Sequence, residues 1–245
     1  NGGFSVDAHN VNSPYPYNFT DLNGVPEPNY PKEIGGVDMI AISSATHASS
    51  VRPFYLSSCG VTSNNPVAWY TTIQAAVNAS NAGATIVAGA GTYAEKVTVN
   101  KSLTIQGEDS ATTVLDYGDA NYIASGGNGF TVTANDVSIS KFKIRNYNNG
   151  VSNTVDVSNL SIDEATIIEN YGSGFYSNKS LNGLSITNST FKNNGFKNNV
   201  NSAGTRRGIM TQSSSSDLKN IVITDNVVTD NSLVGIDINL NRSTN

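Results

Sequence analysis

The chain has 245 residues, enough for one large domain or two small ones with a sizeable core. Charged residues are only 13% of it, about half the roughly 25% of an average protein, and 14 Lys and Arg against 19 Asp and Glu leave a net charge of −5. The scattered cations exclude a general nucleic-acid binder, no apolar run reaches the roughly 20 residues of a membrane span, and the single Cys59 excludes an internal disulfide framework.

Residues 1–35 hold five of the seven prolines, in Pro14-Tyr15-Pro16-Tyr17 and Pro26-Glu27-Pro28-Asn29-Tyr30-Pro31. Proline removes backbone donors and blocks helix, so this stretch reads as an extended arm. Val37–Ile42 reads as one strand. Thr71–Ser80 reads as a short amphipathic helix with Ile73, Ala76 and Val77 on one face. The expected division is 1–66 for the arm and its strand, and 67–245 for the main domain.

Downstream, β-branched strands are broken by Asn and Gly, and the chain repeats itself. Val137–Asn146, Leu160–Asn170, Leu184–Asn193 and Ile221–Asn231 align. Each is followed by a turn and then Gly plus an apolar residue: Gly150-Val151, Gly174-Phe175, Gly208-Ile209 and Gly235-Ile236, with Gly129-Phe130 opening the series. The repeat starts are 23, 24 and 37 residues apart. A period near 23 accommodates three short strands and three turns, and one such unit buries its apolar side only against the next. Alternation within each unit fits strands with one buried face. Asn at fixed turn positions suits left-handed backbone, and stacked Asn side chains can bond along an axis. The fold expected is all-β: a right-handed single-stranded parallel β-helix, or β-solenoid, with a short capping helix at about 71–80 and about seven coils over 85–245. Leucine-rich repeats share the period but need an L-x-x-L-x-L spacing that is absent. An antiparallel sandwich would not need the period.

Thr72-Ile-Gln-Ala-Ala-Val-Asn78, Gly83-Ala-Thr-Ile-Val-Ala-Gly-Ala-Gly-Thr-Tyr-Ala-Glu-Lys-Val-Thr-Val99 and Lys101-Ser-Leu-Thr-Ile-Gln-Gly-Glu108 resemble the opening of right-handed parallel β-helix proteins of the pectin-lyase-like superfamily, and of pectinesterase-type members in particular. The resemblance covers about 71–245. It implies the fold, with the helix covering the first coil. It leaves function open, because that superfamily includes lyases, esterases, hydrolases, epimerases, tailspikes and non-catalytic surface proteins. The Asp-Phe-Ile-Phe-Gly-like strand of pectinesterases, the Asn-Thr-Asp, Asp-Asp and Gly-His-Gly groups of polygalacturonases, the Arg-x-Pro-x-x-Arg of pectate lyases and the Asp-Pro-His of alginate epimerases are absent here.

Members that cleave polysaccharides carry charged residues facing outward from one sheet. Counting from the Gly-apolar steps, the first outward positions are Thr131, Ser152, Tyr176, Met210 and Asp237. The next are Thr133, Thr154, Asn178, Gln212 and Asn239. One carboxylate in ten positions is short of the pair that glycoside hydrolysis uses. No catalytic residue is therefore assigned.

The 37-residue step carries an insertion, Phe196–Arg207, which with Lys192 is the most basic part of the chain. Lys192, Lys197, Arg206 and Arg207 are candidates for docking an acidic glycan, with Tyr176, Asn178, Gln212 and Asn239 beside them. Asp163-Glu164 and the group Asp225, Asp230 and Asp237 are the candidates for Ca²⁺, which takes six to eight oxygen ligands. Solvated turn residues are the simpler account of them, and no cofactor is expected. Glycosylation sequons stand at Asn18, Asn78, Asn100, Asn159, Asn178, Asn188 and Asn241, a number that 34 Asn among 30 Ser and 22 Thr yield by chance. Cys59 reads as a small buried residue, and His9 and His47 as isolated and non-catalytic.

The chain opens without Met or a leader-like stretch, which reads as a mature chain or a fragment, and Asn245 falls within a coil, which reads as an uncapped end. The arm and its strand (Tyr15, Tyr17, Val37, Met39, Ile40 and Ile42) are expected to join a neighbouring copy head to tail by strand addition. The first functional reading is a non-catalytic extracellular β-solenoid at a cell surface, structural, adhesive or filament-forming. The alternatives are a carbohydrate-active lyase, esterase or epimerase on an acidic polysaccharide, and a glycan-binding adhesin or tailspike module.

Overall fold

Three parallel sheets run the length of the molecule, because each repeat contributes one strand to each of them. The computed structural model describes residues 5–7, 18–20, 39–42, 70–118, 126–195, 207–213 and 217–240. Within these the chain is a right-handed single-stranded parallel β-helix with an N-terminal capping helix.

Six coils are described, where the sequence suggested about seven. Coil 1 has strands Thr85–Ala88, Gly91–Tyr93 and Val97–Val99, and coil 2 has Thr104–Gly107, Thr113–Asp116 and Phe130–Val132. Coil 3 has Val137–Ser140, Lys143–Arg145 and Val151–Asn153, and coil 4 has Val157–Asp163, Thr166–Ile168 and Phe175–Ser177. Coil 5 has Leu181–Thr187, Thr190–Lys192 and Arg207–Ser213. Coil 6 has Leu218–Lys219 with Val222–Thr224, then Val227–Thr229 and Val234–Leu240. The first strand of each coil lies in sheet 1, the second in sheet 2 and the third in sheet 3. The shortfall arises in coils 2 and 5, where long links between sheets 2 and 3, 117–129 and 193–206, use residues that a 23-residue period would assign to a further coil.

The register is the one the spacing predicts. Val137 pairs with Leu160 and Leu160 with Leu184, while Ser185 meets Val222 across the 37-residue step. Period-two alternation turns one side of each strand inward. Ile105, Ile139, Ile162 and Ile186 stack from sheet 1, Leu115, Ile144, Ile167 and Phe191 from sheet 2, and Phe130, Val151, Phe175 and Ile209 from sheet 3, all fully buried.

The corners have a common device. Asp136, Asn159 and Asn220 enter sheet 1 with φ of 52–56°. Lys141, Glu164, Asn188 and Asp225 turn the chain from sheet 1 to sheet 2, and Asn146, Glu169, Asn193 and Asp230 turn it out of sheet 2, again at positive φ. Asn and Asp reach this conformation most cheaply, because their short polar groups bond locally. An Asn ladder sits one residue after the left-handed Glu169, Asn193 and Asp230. Asn170, Asn194 and Asn231 stack, with Asn170 Nδ2 donating to Asn194 Oδ1 and Asn194 Nδ2 to Asn231 Oδ1, both at 3.0 Å.

Helix α1 (Ile73–Ala79) closes the coil 1 end, burying Ile73, Ala76 and Val77 as the periodicity predicts. Thr72 caps it, its Oγ1 accepting from Ala75 N at 3.1 Å. Coil 1 grips both ends. The Glu95 carboxylate accepts from Ile73 N at 2.7 Å and Gln74 N at 2.9 Å, and Lys101 Nζ donates to the carbonyls of Val77, Asn78 and Ser80. An anion at the N-terminus and a cation at the C-terminus both oppose the helix dipole. Burial pushes the Glu95 carboxyl above its ordinary range, while the two amide bonds partly restrain it. A raised native pKa stabilises the fold below the unfolded value and loses that contribution as pH rises through the native one. Glu95→Gln is therefore expected to gain on the native protein as pH rises from the ordinary carboxylate range through the raised native value. Urea midpoints of both proteins across that range check this; a difference that does not change with pH contradicts it.

The strand Met39–Ile42 corrects one expectation. It pairs in parallel with Thr85–Ala88 of its own chain, Met39 against Thr85 and Ile42 against Ala88, and so takes the first place in sheet 1. An extended segment with backbone donors to satisfy finds the unpaired edge of coil 1 nearest at hand. Met39, Ile40 and Ile42 are thus placed within the chain and not on a neighbour. Tyr15, Tyr17 and Val37 lie outside the described residues. Ser5–Asp7 and Asn18–Thr20 form a separate antiparallel pair.

Candidate sheet 3 site

Sheet 3 carries the outward column that the Gly-apolar steps mark. Gly129, Gly150, Gly174 and Gly208 start it, and each lies so close to the next coil that a Cβ would meet that coil's glycine carbonyl oxygen or the side chains beneath. The apolar residue after each glycine points inward, so the one after that points outward. Pairing puts Thr131 against Ser152, Ser152 against Tyr176, Tyr176 against Met210 and Met210 against Asp237. The column is as read from sequence, and its inside–outside parity holds.

The second outward set needs correction. Thr133, Thr154 and Asn178 fall just beyond the three-residue strands of coils 2, 3 and 4, so they are turn residues. Only coils 5 and 6 have seven-residue strands here, in which Gln212 pairs with Asn239. Beneath the face, the residue two after each inward apolar one also points inward and is polar in coils 3, 4 and 5: Asn153, Ser177 and Thr211, all buried. Sequence alternation could have shown this polar inner column, since Val132 and Ile238 occupy the same place in coils 2 and 6.

The chemistry of the face concentrates in coils 4 to 6. Arg207 opens the coil 5 strand, and its Nε forms a close ion pair with Asp237 Oδ2. Its Nη1 lies 3.5 Å from Met210 Sδ. Met210 is 2% exposed although it faces outward. Tyr176, half-buried, is one coil above, and burial raises its phenol pKa. A raised pKa keeps the hydroxyl protonated at neutral pH, so Tyr176 is a hydrogen-bond donor and not an anion. The guanidinium offers a planar fork that fits a carboxylate on two bonds. Thr131 extends the face with a hydroxyl, whereas Ser152 is buried.

The other sequence candidates are dispersed. Lys192 faces outward on sheet 2, where its Nζ lies 3.6 Å from Asp230 Oδ2, so it does not join the sheet 3 group. Lys197 and Arg206 lie outside the described residues, as do Cys59, His9 and His47. Asp225, Asp230 and Asp237 are close in sequence but occupy the sheet 1–2 corner, the end of sheet 2 and the face of sheet 3. Asp163 instead accepts from Thr187 Oγ1 at 2.7 Å and Asn188 Nδ2 at 3.0 Å, which holds its carboxyl below the usual range. Among the described residues no group of three or more His, Cys, Asp or Glu could hold a metal ion. No described helix is long and apolar enough to cross a membrane. Of the sequon residues, Asn78, Asn100, Asn159, Asn178 and Asn188 are exposed, Asn18 lies in the Asn18–Thr20 strand, and Asn241 is outside the described residues.

No known protein-family profile matches the chain, and no curated protein matches it in sequence. Among solved structures, an alginate lyase from Paenibacillus sp. str. FPU-7 superposes with a TM-score of 0.54 at 17% identity, over 82% of this chain and 64% of that one. The chain thus spans less than two-thirds of the lyase. A pectin methylesterase mutant in complex with a hexasaccharide gives a TM-score of 0.40 at 14% identity, over 72% of this chain and 66% of that one. The first similarity establishes the fold.

Proposed function

We propose that this protein engages an acidic polysaccharide along the outward face of sheet 3, with Arg207 meeting a sugar carboxylate and Tyr176 donating to a ring or hydroxyl oxygen. The observation that carries the reading is the Tyr176–Met210–Asp237 column with Arg207 laid across it. Asp237 stands where a uronate carboxylate would compete for the guanidinium. The fold it shares with an alginate lyase supports a carbohydrate role over a purely structural one. A polysaccharide-processing role fits an extracellular location.

The test is binding and turnover of polymannuronate and polygalacturonate by the whole protein, with and without Ca²⁺. Calorimetry reads binding, and the ultraviolet absorbance of unsaturated sugar ends reads eliminative cleavage. Arg207→Ala is expected to weaken polyuronate binding about tenfold, the loss of one charge-assisted contact. Absence of both binding and cleavage of either polymer by the native protein overturns the proposal.

A second reading, self-association, is favoured by coil 6. Val222, Val227, Leu233, Val234, Ile236 and Ile238 are all more than a third exposed there. Because α1 and Met39–Ile42 occupy the coil 1 end, such contacts favour a closed pair joined at coil 6 over a head-to-tail filament. Sedimentation of the native protein against Ile236→Asp tests this; a monomer at all concentrations excludes it.

A further inference from the structure

On the side of the solenoid away from the sheet 3 face, a groove of about 330 Å³ follows the corner between sheets 1 and 2. It crosses four coils in succession. Glu108 lines it from coil 2, Lys141 from coil 3, Glu164 and Thr166 from coil 4, and Asn188 and Thr190 from coil 5. The polypeptide dictates this order. Lys141, Glu164 and Asn188 occupy the same left-handed corner position, with φ of 60°, 49° and 49°. Thr166 and Thr190 pair directly as the first outward residues of sheet 2. Each of coils 4 and 5 therefore presents one long hydrogen-bonding group from the corner and one hydroxyl from the strand, repeated at the coil rise of about 4.8 Å.

We infer that this groove is a second glycan site, which takes an extended, neutral β-1,4-linked oligosaccharide lying parallel to the solenoid axis. Three coil steps give it about 14 Å of length, room for a short run of sugars whose repeat is close to one coil. Carboxylates bind sugar hydroxyls through charge-assisted bonds, and the amide and hydroxyls add donors and acceptors of both kinds. Glu108, Asp109 and Glu164 outnumber Lys141, so a polyuronate is repelled here, the reverse of the preference proposed for Arg207. The corner has capacity to spare. Lys141 Nζ and Glu164 Oε2 are 3.9 Å apart, and the Glu164 side chain is 55% exposed, so a ligand hydroxyl can be added without breaking a tight pair.

The experiment is calorimetric titration of the whole protein with cellotriose and β-1,4-mannotriose, with trigalacturonate as competitor. Saturable binding of at least one neutral trisaccharide, undisturbed by trigalacturonate, is expected. The surface double variant Glu164→Ala with Thr190→Ala should lower its affinity about tenfold, with an unchanged circular dichroism spectrum. Arg207→Ala should leave it unchanged, so failure at the sheet 3 face and failure at the groove read differently. Absence of binding for both trisaccharides, or binding that survives the groove variant or is lost in the Arg207 variant, overturns the inference.

Discussion

Asn194→Leu is expected to lower stability by about 3–5 kcal/mol, and the melting temperature by about 6–20 °C, although leucine matches asparagine in the number and branching of its side-chain heavy atoms. Asn194 is fully buried. Its Oδ1 accepts from Asn170 N at 3.2 Å and Asn170 Nδ2 at 3.0 Å, and its Nδ2 donates to Ile167 O and Asn231 Oδ1, each at 3.0 Å. One side chain thus satisfies a buried amide, a buried carbonyl and two neighbouring Asn side chains on three coils. Leucine returns apolar burial but takes the side-chain partner from Asn170 N and the Ile167 carbonyl, at about 1–3 kcal/mol for each, while Asn170 Nδ2 keeps Ile144 O and Asn231 Oδ1 keeps the Asn194 backbone N. Asn226 provides the contrast at the sheet 1–2 corner. Its Oδ1 accepts from Ser189 N at 2.9 Å and its Nδ2 donates to Ile186 O at 2.8 Å, but it is half-buried in coil 6. Water can replace part of what it loses, so Asn226→Leu should cost well under half as much. Urea denaturation of the two variants checks the pair, and equal losses would contradict the ladder argument.

Gly174→Ala is expected to cost about 2–4 kcal/mol, whereas Gly235→Ala costs less than about 1 kcal/mol. Both glycines open a sheet 3 strand, and the sequence does not distinguish them. At Gly174 a Cβ would come to 2.5 Å from Phe191 Cδ1 and 2.7 Å from Gly208 O. The carbonyl belongs to the next coil and is held there by its own ladder, so the coils must separate. At Gly235 the nearest atom is Val228 Cγ1 at 3.2 Å, and no further coil is described beneath it. A rotamer change suffices. The difference in thermal midpoint between the two alanine variants is the measurement, and equal losses would mean that glycine is needed here for its backbone and not for its lack of a side chain.

The fold was legible in the sequence because every coil repeats one physical problem. Gly at the close approach, a β-branched or aromatic residue inward and Asn at the corner recur with the same offsets, so self-comparison exposes them. The capping residues Glu95 and Lys101 also lay within the stretches that resemble known β-helices, although what they hold shows only in three dimensions. Function was less legible for the same reason. Outward residues such as Tyr176, Met210 and Thr190 answer to whatever touches them and not to the coil, so no repeat marks them. Arg207 was found through local charge, but its partner Asp237 is one coil on and 30 residues away in sequence. The corner groove was missed because Lys141, Glu164 and Asn188 read as ordinary turn residues until the register stacks them. Met39–Ile42 was misplaced because pairing with Thr85–Ala88 leaves no periodic trace.

Both long departures from the 23-residue period, 117–129 in coil 2 and 193–206 in coil 5, fall between sheet 2 and sheet 3. At that corner the chain leaves the left-handed residue and need only return at the next sheet 3 strand. Closing a longer loop costs little, about 0.6 kcal/mol for each doubling of its length. The other corners of coils 3 and 4 are fixed by single left-handed residues and by strands of matched length, where one extra residue would shift a whole ladder. Most of the variation in length therefore borders the face that carries Arg207 and Tyr176, with a smaller excess at 108–112 between sheets 1 and 2 of coil 2 and in the link from coil 5 to coil 6. A lineage can redraw the rim of that surface by insertion while every buried contact keeps its address, which makes specificity and stability separately adjustable in this scaffold.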